Sequence, residues 1–215
     1  MVGLHEIRRP ARCSAGRVGA LLLGCLVLGA CLGTFAKYLD HRQGALPALL
    51  QQVDQGLDLH NFLGGFGPWL FLALCIALHS AAPWYGAANA FAFFAGMVLA
   101  YYLYGYFAAG FFPKTYAMLW VALTAVSPVL AWLCWYAKGS GPLALVLSAG
   151  IVGVFLDITF SWGLFYLSLR SWLDALLLLL TILVLGQRGR ELAGMLVGGA
   201  VFAVLLDLLL PVSLW

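Results

Sequence analysis

Apolar residues in this chain neither alternate nor form narrow stripes. They run almost unbroken for helix-spanning lengths, with centres at Leu26, Cys75, Leu99, Ala125, Val154, Leu179 and Val201. About 20 apolar residues cross the hydrocarbon of a bilayer as a helix. The pattern therefore predicts an all-α, polytopic transmembrane helical bundle. Its seven spans fall near 18–36, 66–82, 88–109, 115–137, 143–166, 172–186 and 192–210. The sixth is short, so a six-span count with that segment re-entrant stays open.

Between the first two spans, residues 37–65 form the one long connection. Leu46, Leu49, Leu50, Val53 and Leu57 recur there at helical spacing, with Gln51, Gln52, Asp54 and Asp58 between them. That spacing predicts a short amphipathic helix near 46–58, lying on the membrane surface. Pro83, Pro113 and the run Lys138-Gly139-Ser140-Gly141-Pro142 punctuate later turns. Two units result: a basic N-terminus at 1–17, expected to be cytoplasmic, and a single transmembrane helical domain at 18–215.

Composition strengthens this picture. Hydrophobic residues make up 64% of the 215 and charged residues 9%, against about 25% charged in a soluble domain. So little polar chain remains outside the spans that nucleic acid is not an expected partner, despite a net charge of +3. The five cysteines contain no Cys-x-x-Cys pair. They read as small buried hydrophobes, with no disulfide framework, metal site or cofactor expected. Leu28-Gly29-Ala30-Cys31 follows a basic segment and matches a lipoprotein cleavage box, which would make Cys31 a lipidated terminus. The plainer alternative is a first span rich in small residues.

Charge also orients the chain. With the N-terminus inside, Arg8, Arg9, Arg12, Arg17, Lys138, Arg188 and Arg190 lie in the cytoplasm. Lys37, Arg42, Lys114 and Arg170 lie outside, so cytoplasmic Lys and Arg predominate. An odd number of spans and an external C-terminus follow. Trp69, Trp120, Trp162, Trp172 and Trp215 then fall toward the outer interface, and Trp84, Trp132 and Trp135 toward the inner one. Tyr101, Tyr102, Tyr104 and Tyr106 extend the outer aromatic belt, with Tyr101 or Tyr104 able to face the bundle.

Close helix contacts in lipid need small residues. Gly29/Gly33, Ala92/Gly96/Ala100 and Gly194/Gly198 supply them, for packing within the chain or, at span 1, for docking a partner subunit. Ionisable groups within a span are costly and point to function by default. Asp157 lies roughly 21 Å from the inner end of span 5 at 1.5 Å per residue. Asp207 reaches a similar depth in span 7, Lys37 closes span 1 on the same side, and Ser161 follows Asp157 by one helical turn. Asp157, Lys37, Asp207 and Tyr104 are accordingly the candidate substrate-binding residues of an outward-facing polar pocket. A small solute, a cation or a proton would suit it; a buried structural pairing of Asp157 is the competing reading. His79 in span 2, near Asn89, reads as a histidine hydrogen-bonded between helices, with a proton relay as the sharper possibility. Ser127-Pro128 marks a kink whose freed backbone groups neighbouring helices would satisfy. No metalloprotease, serine-hydrolase or phosphate-loop motif is present, and no enzymatic activity is expected.

The middle of the chain resembles a family of small uncharacterised bacterial polytopic membrane proteins. The residues that carry the likeness are Lys37-Tyr38-x-Asp40, Phe93-Phe94-x-Gly96-Met97 leading to Tyr101-Tyr102-x-Tyr104, Phe112-Pro113-Lys114-x-Tyr116, and Trp135-Tyr136-x-Lys138-Gly139-x-Gly141. The resemblance implies a bacterial inner-membrane protein and brings no activity with it. By size and span count the chain is also similar to the substrate-capturing subunits of energy-coupling-factor transporters. Two functions are therefore expected: binding or transport of a small solute, or a non-catalytic scaffold that docks a partner through span 1.

Overall fold

A computed structural model describes residues 7–110, 113–162, 167–187 and 189–209. His5, Phe112, Arg188, Trp215 and the side chain of Trp162 lie outside the described residues. Among those described are nine helices: α1 (Ala15–His41), α2 (Ala48–Leu57), α3 (Leu59–Gly64), α4 (Gly67–His79), α5 (Pro83–Ala109), α6 (Lys114–Ala137), α7 (Pro142–Thr159), α8 (Trp172–Leu185) and α9 (Arg190–Leu209). Five of them, α1, α5, α6, α7 and α9, are long and apolar enough to cross a membrane. α4 and α8, with 13 and 14 residues, rise only about 20 Å each. The helical expectation holds, while the seven expected spans correspond to five long helices and two short ones.

Both short helices run antiparallel to α7. At the start of α4, a Cβ on Gly67 would lie 3.0 Å from Asp174 Oδ1 and 3.4 Å from Ile158. The N-terminal ends of α4 and α8 therefore meet the C-terminal end of α7. The opposite end of α4 lies beside the end of α6, where Arg8 bonds both Leu78 and Trp135.

The helices share two cores. Trp69, Phe93, Phe94, Met97, Tyr102 and Trp120 centre the first, between α1, α4, α5 and α6. Leu78, Val152, Phe155, Leu185 and Met195 centre the second, between α4, α6, α7, α8 and α9. Backbone proximity rather than side-chain bulk closes the α1–α5 pair. A Cβ on Gly29 or Gly33 would overlap the carbonyl oxygen of Phe93 or Met97, and one on Gly96 would overlap that of Leu26. Gly153, Gly198 and Gly199 make room in the α7–α9 pair chiefly for side chains of the facing helix; a Cβ on Gly199 would sit 2.9 Å from Val152. Small residues are thus consumed inside the chain.

Several local expectations are corrected. Span 5 stops at Thr159, and an antiparallel hairpin follows, with Phe160, Ser161 and Trp162 opposite Leu169, Ser168 and Leu167. Ser161 is therefore on a strand opposite Ser168 and does not continue the Asp157 helix. Ile158, Thr159, Phe160, Ser161 and Trp162 are weak helix formers in succession. The hairpin satisfies their backbone internally, and Arg170 N–H adds a 2.9 Å bond to the Thr159 carbonyl. Pro83 starts α5 at its first turn, where a missing N–H costs nothing. Pro128 removes the partner of the Thr124 carbonyl, and Ser127 Oγ donates to that carbonyl at 2.8 Å. The freed group is satisfied within α6, not by a neighbouring helix.

Tryptophan placement departs from a simple belt. Trp84 and Trp172 are exposed, as interfacial rings would be, whereas Trp69, Trp120 and Trp135 are buried. Phe66 stacks on Trp120 at 4.6 Å, and the Trp69 indole donates to the Leu63 carbonyl at 2.9 Å. These rings join α3 and α4 to the bundle. The surface helix expected near 46–58 is α2, and Leu49, Val53 and Leu57 on it are exposed. Asp54 departs from the expected polar face. It is buried and accepts from the His60 backbone N–H at 2.8 Å and from His60 Nδ1 at 2.9 Å.

Candidate functional site: a polar-mouthed cavity between α1, α4 and α5

The basic N-terminal segment does not simply anchor the chain. Residues 7–13 cross the end of the bundle as a strap. Ile7 is buried against Gly139, and its carbonyl accepts from Ser140 N–H at 3.1 Å. Ala11 N–H donates to Ala81 O at 2.8 Å. Arg8 reaches inward, donating from Nη1 to Trp135 O at 2.8 Å and from Nη2 to Leu78 O at 2.9 Å. Its guanidinium carbon lies 4.1 Å from the centre of the Trp135 ring. Burial pulls the guanidinium pKa down from its ordinary value, and a guanidinium keeps its charge at that cost. A cation here offsets the negative ends of two helices, α4 and α6.

The carbonyls around the end of α4 are closely accounted for. His79 Nδ1 donates to Cys75 O at 2.9 Å, and Ser80 Oγ donates to Ile76 O at 2.7 Å. Trp135 Nε1 donates to Ser80 O at 2.8 Å. His79 is thus exposed and bonded within its own helix, not between helices as the sequence suggests. With Nδ1 committed as the donor, Nε2 is the ring nitrogen available for other contacts.

Beside this end, α1, α4 and α5 border a half-open cavity of about 220 Å³. Arg17, His79, Tyr85 and Asn89 supply its polar wall, and Leu21, Cys25 and Ile76 its apolar wall. Tyr85 and Asn89 are one turn apart on α5, so they share a face. Asn89 is only 5% exposed, yet among the described residues its amide makes no hydrogen bond. Its amide atoms stay accessible from the open space they border, free to bond water or a ligand. A second cavity of about 10 Å³ lies among Trp69, Tyr101, Tyr102, Tyr116 and Trp120. It has room for about one water molecule.

The four residues expected to form an outward-facing pocket fall into two separate helix groups. Lys37 is on α1, ion-paired with Asp40 and 5.1 Å from the centre of the Tyr101 ring. Tyr104, on α5, meets His41 edge-to-face at 6.3 Å. Asp157 is buried near the end of α7, and Asp207 is half-buried on α9. α1 packs chiefly on α5 and α9 on α7, with α4 and α6 between the pairs. Neither cavity is lined by any of the four. Lys37 therefore has its own carboxylate, Asp40, one turn away.

His79 and Asn89, near each other by sequence depth, line one cavity without bonding, and Arg17 and Tyr85 join them there unforeseen by the sequence. Arg17 reads as one more anchoring charge, and Tyr85 precedes the expected start of span 3. The starting signal was Pro83, a favoured first-turn residue, which would have put Tyr85 and Asn89 on one helical face. Among the described residues, no group of three or more His, Cys, Asp or Glu side chains is placed to hold a metal. No family model, curated protein or solved structure matches the chain.

Proposed function

We propose that the chain is a multi-pass protein of the bacterial inner membrane that binds a small molecule in the cavity between α1, α4 and α5. The N-terminus is cytoplasmic and the C-terminus external, with α4 and α8 completing seven crossings. The cavity then opens near the cytoplasmic interface, opposite the side that Asp157 suggested. The observation that carries this reading is the unbonded Asn89 amide facing a 220 Å³ space beside Arg17, His79 and Tyr85. Ligand sites have this composition: mostly apolar walls with a few convergent polar groups.

A scaffold role through span 1 is less well supported. Gly29 and Gly33 already hold α5, and the outward residues of α1, such as Leu23 and Val27, suit lipid. Mass spectrometry of protein purified gently from native membranes tests the binding reading. Wild type should retain a small molecule that Asn89→Leu, which removes the amide and narrows the cavity, releases. Identical retention by a folded Asn89→Leu variant would overturn it.

A further inference from the structure

The cavity runs from Arg17 at its rim along Val18, Leu21 and Cys25 of α1, a depth of about 12 Å at 1.5 Å per residue. Arg17 and His79 lie at the mouth, while Tyr85 and Asn89 run down α5 beside Leu21 and Cys25, because Gly29 and Gly33 of α1 abut Phe93 and Met97 of α5. A molecule that fits must carry a polar head and an apolar body. Charge narrows the head. Arg17 is exposed and makes no ion pair among the described residues, and no Asp or Glu lines the cavity. The end of α4 would normally repel an anion through its free carbonyls. Here Arg8 and Trp135 cover the carbonyls of Leu78 and Ser80, and the strap covers Ala81. The neighbouring start of α5 has no side-chain cap, so its first N–H groups add a positive end beside Tyr85.

From these features we infer that the occupant is an anionic phospholipid of the adjoining leaflet. Arg17 holds the phosphate oxygens, Tyr85 and, deeper, Asn89 donate to the glycerol ester oxygens, and an acyl chain follows Leu21 and Cys25. This rests on the cavity being a binding site, as proposed above, and adds the chemistry of the ligand.

The test uses full-length protein in nanodiscs containing equal amounts of phosphatidylglycerol and phosphatidylcholine. Lipid retained after exchange into detergent is measured by native mass spectrometry. Wild type should retain phosphatidylglycerol in preference. Arg17→Gln should weaken that preference about tenfold, the loss of one charge-assisted hydrogen bond, with melting temperature unchanged because Arg17 holds no other element. Arg9→Gln, outside the cavity, should leave the preference intact. Equal retention of the two lipids, or an unaltered preference in Arg17→Gln, overturns the inference. So does protection of the protein by inorganic phosphate alone to the extent that lipid protects it, because the source would then be soluble anion. If a neutral molecule is retained in the cavity and lost in Asn89→Leu, the binding reading stands and only the phosphate assignment falls.

Discussion

Arg8 illustrates how little the identity of a residue says about its task. The N-terminus carries a series of arginines, and by sequence all serve as interfacial charge. Only Arg8 turns inward, because its planar fork can reach two carbonyls while its face lies on Trp135. Arg8→Ala should therefore lower unfolding stability by about 2–4 kcal/mol, the scale of two hydrogen bonds to a charged donor. Arg8→Lys should recover less than half, since an ammonium cannot span both carbonyls. Arg9→Ala, with an exposed side chain, should be neutral. Thermal melts of the three variants in one detergent check this order, and equal melts for Arg8→Ala and Arg9→Ala would contradict it. Asp54 and Asp157 make the complementary point. Both are buried, and burial alone does not separate a ligand contact from a helix-end fastening.

At the scale of elements, glycine positions decide how closely helices approach. Gly29 has the Phe93 backbone against it, whereas nothing lies within 4 Å of a Cβ on Gly24. Gly29→Ala should cost about 1–3 kcal/mol by overpacking. Gly24→Ala should be neutral or gain up to about 1 kcal/mol from helix propensity. Denaturation of the pair by graded detergent measures the difference, and matching curves would show that the α1–α5 contact is looser than described. Helix existence and most boundaries were legible from apolar run lengths and prolines: α6 begins one residue from its expected start, and α2 lies within the expected 46–58. The hairpin after Thr159 was not legible. A run such as Phe160-Ser161-Trp162 is apolar enough to continue a span, and only pairing with Leu167–Leu169 makes the extended form the better solution.

For the whole molecule, the number of crossings rests on the two short helices. If α4 and α8 cross, their flanking residues lie on opposite faces. In a background lacking native cysteines, Asn61→Cys and Arg170→Cys should react with an impermeant maleimide in intact cells. Trp84→Cys and Arg190→Cys should react only after permeabilisation. Same-side labelling across either helix would reduce the count. All four positions are exposed, so reactivity reports sidedness, not burial.

The sequence by itself determined the solvent: runs this long and this apolar must leave water, and in lipid they must be helical to satisfy their backbones. It also supplied the charge asymmetry and the small residues that allow contact. Which faces meet was decided only by tertiary structure, because in lipid every side of such a helix is apolar and periodicity no longer distinguishes inside from outside. For the same reason Lys37 and Asp157, at similar depth by sequence, sit in different helix groups. Arg17, His79, Tyr85 and Asn89, scattered over more than seventy positions, line one cavity.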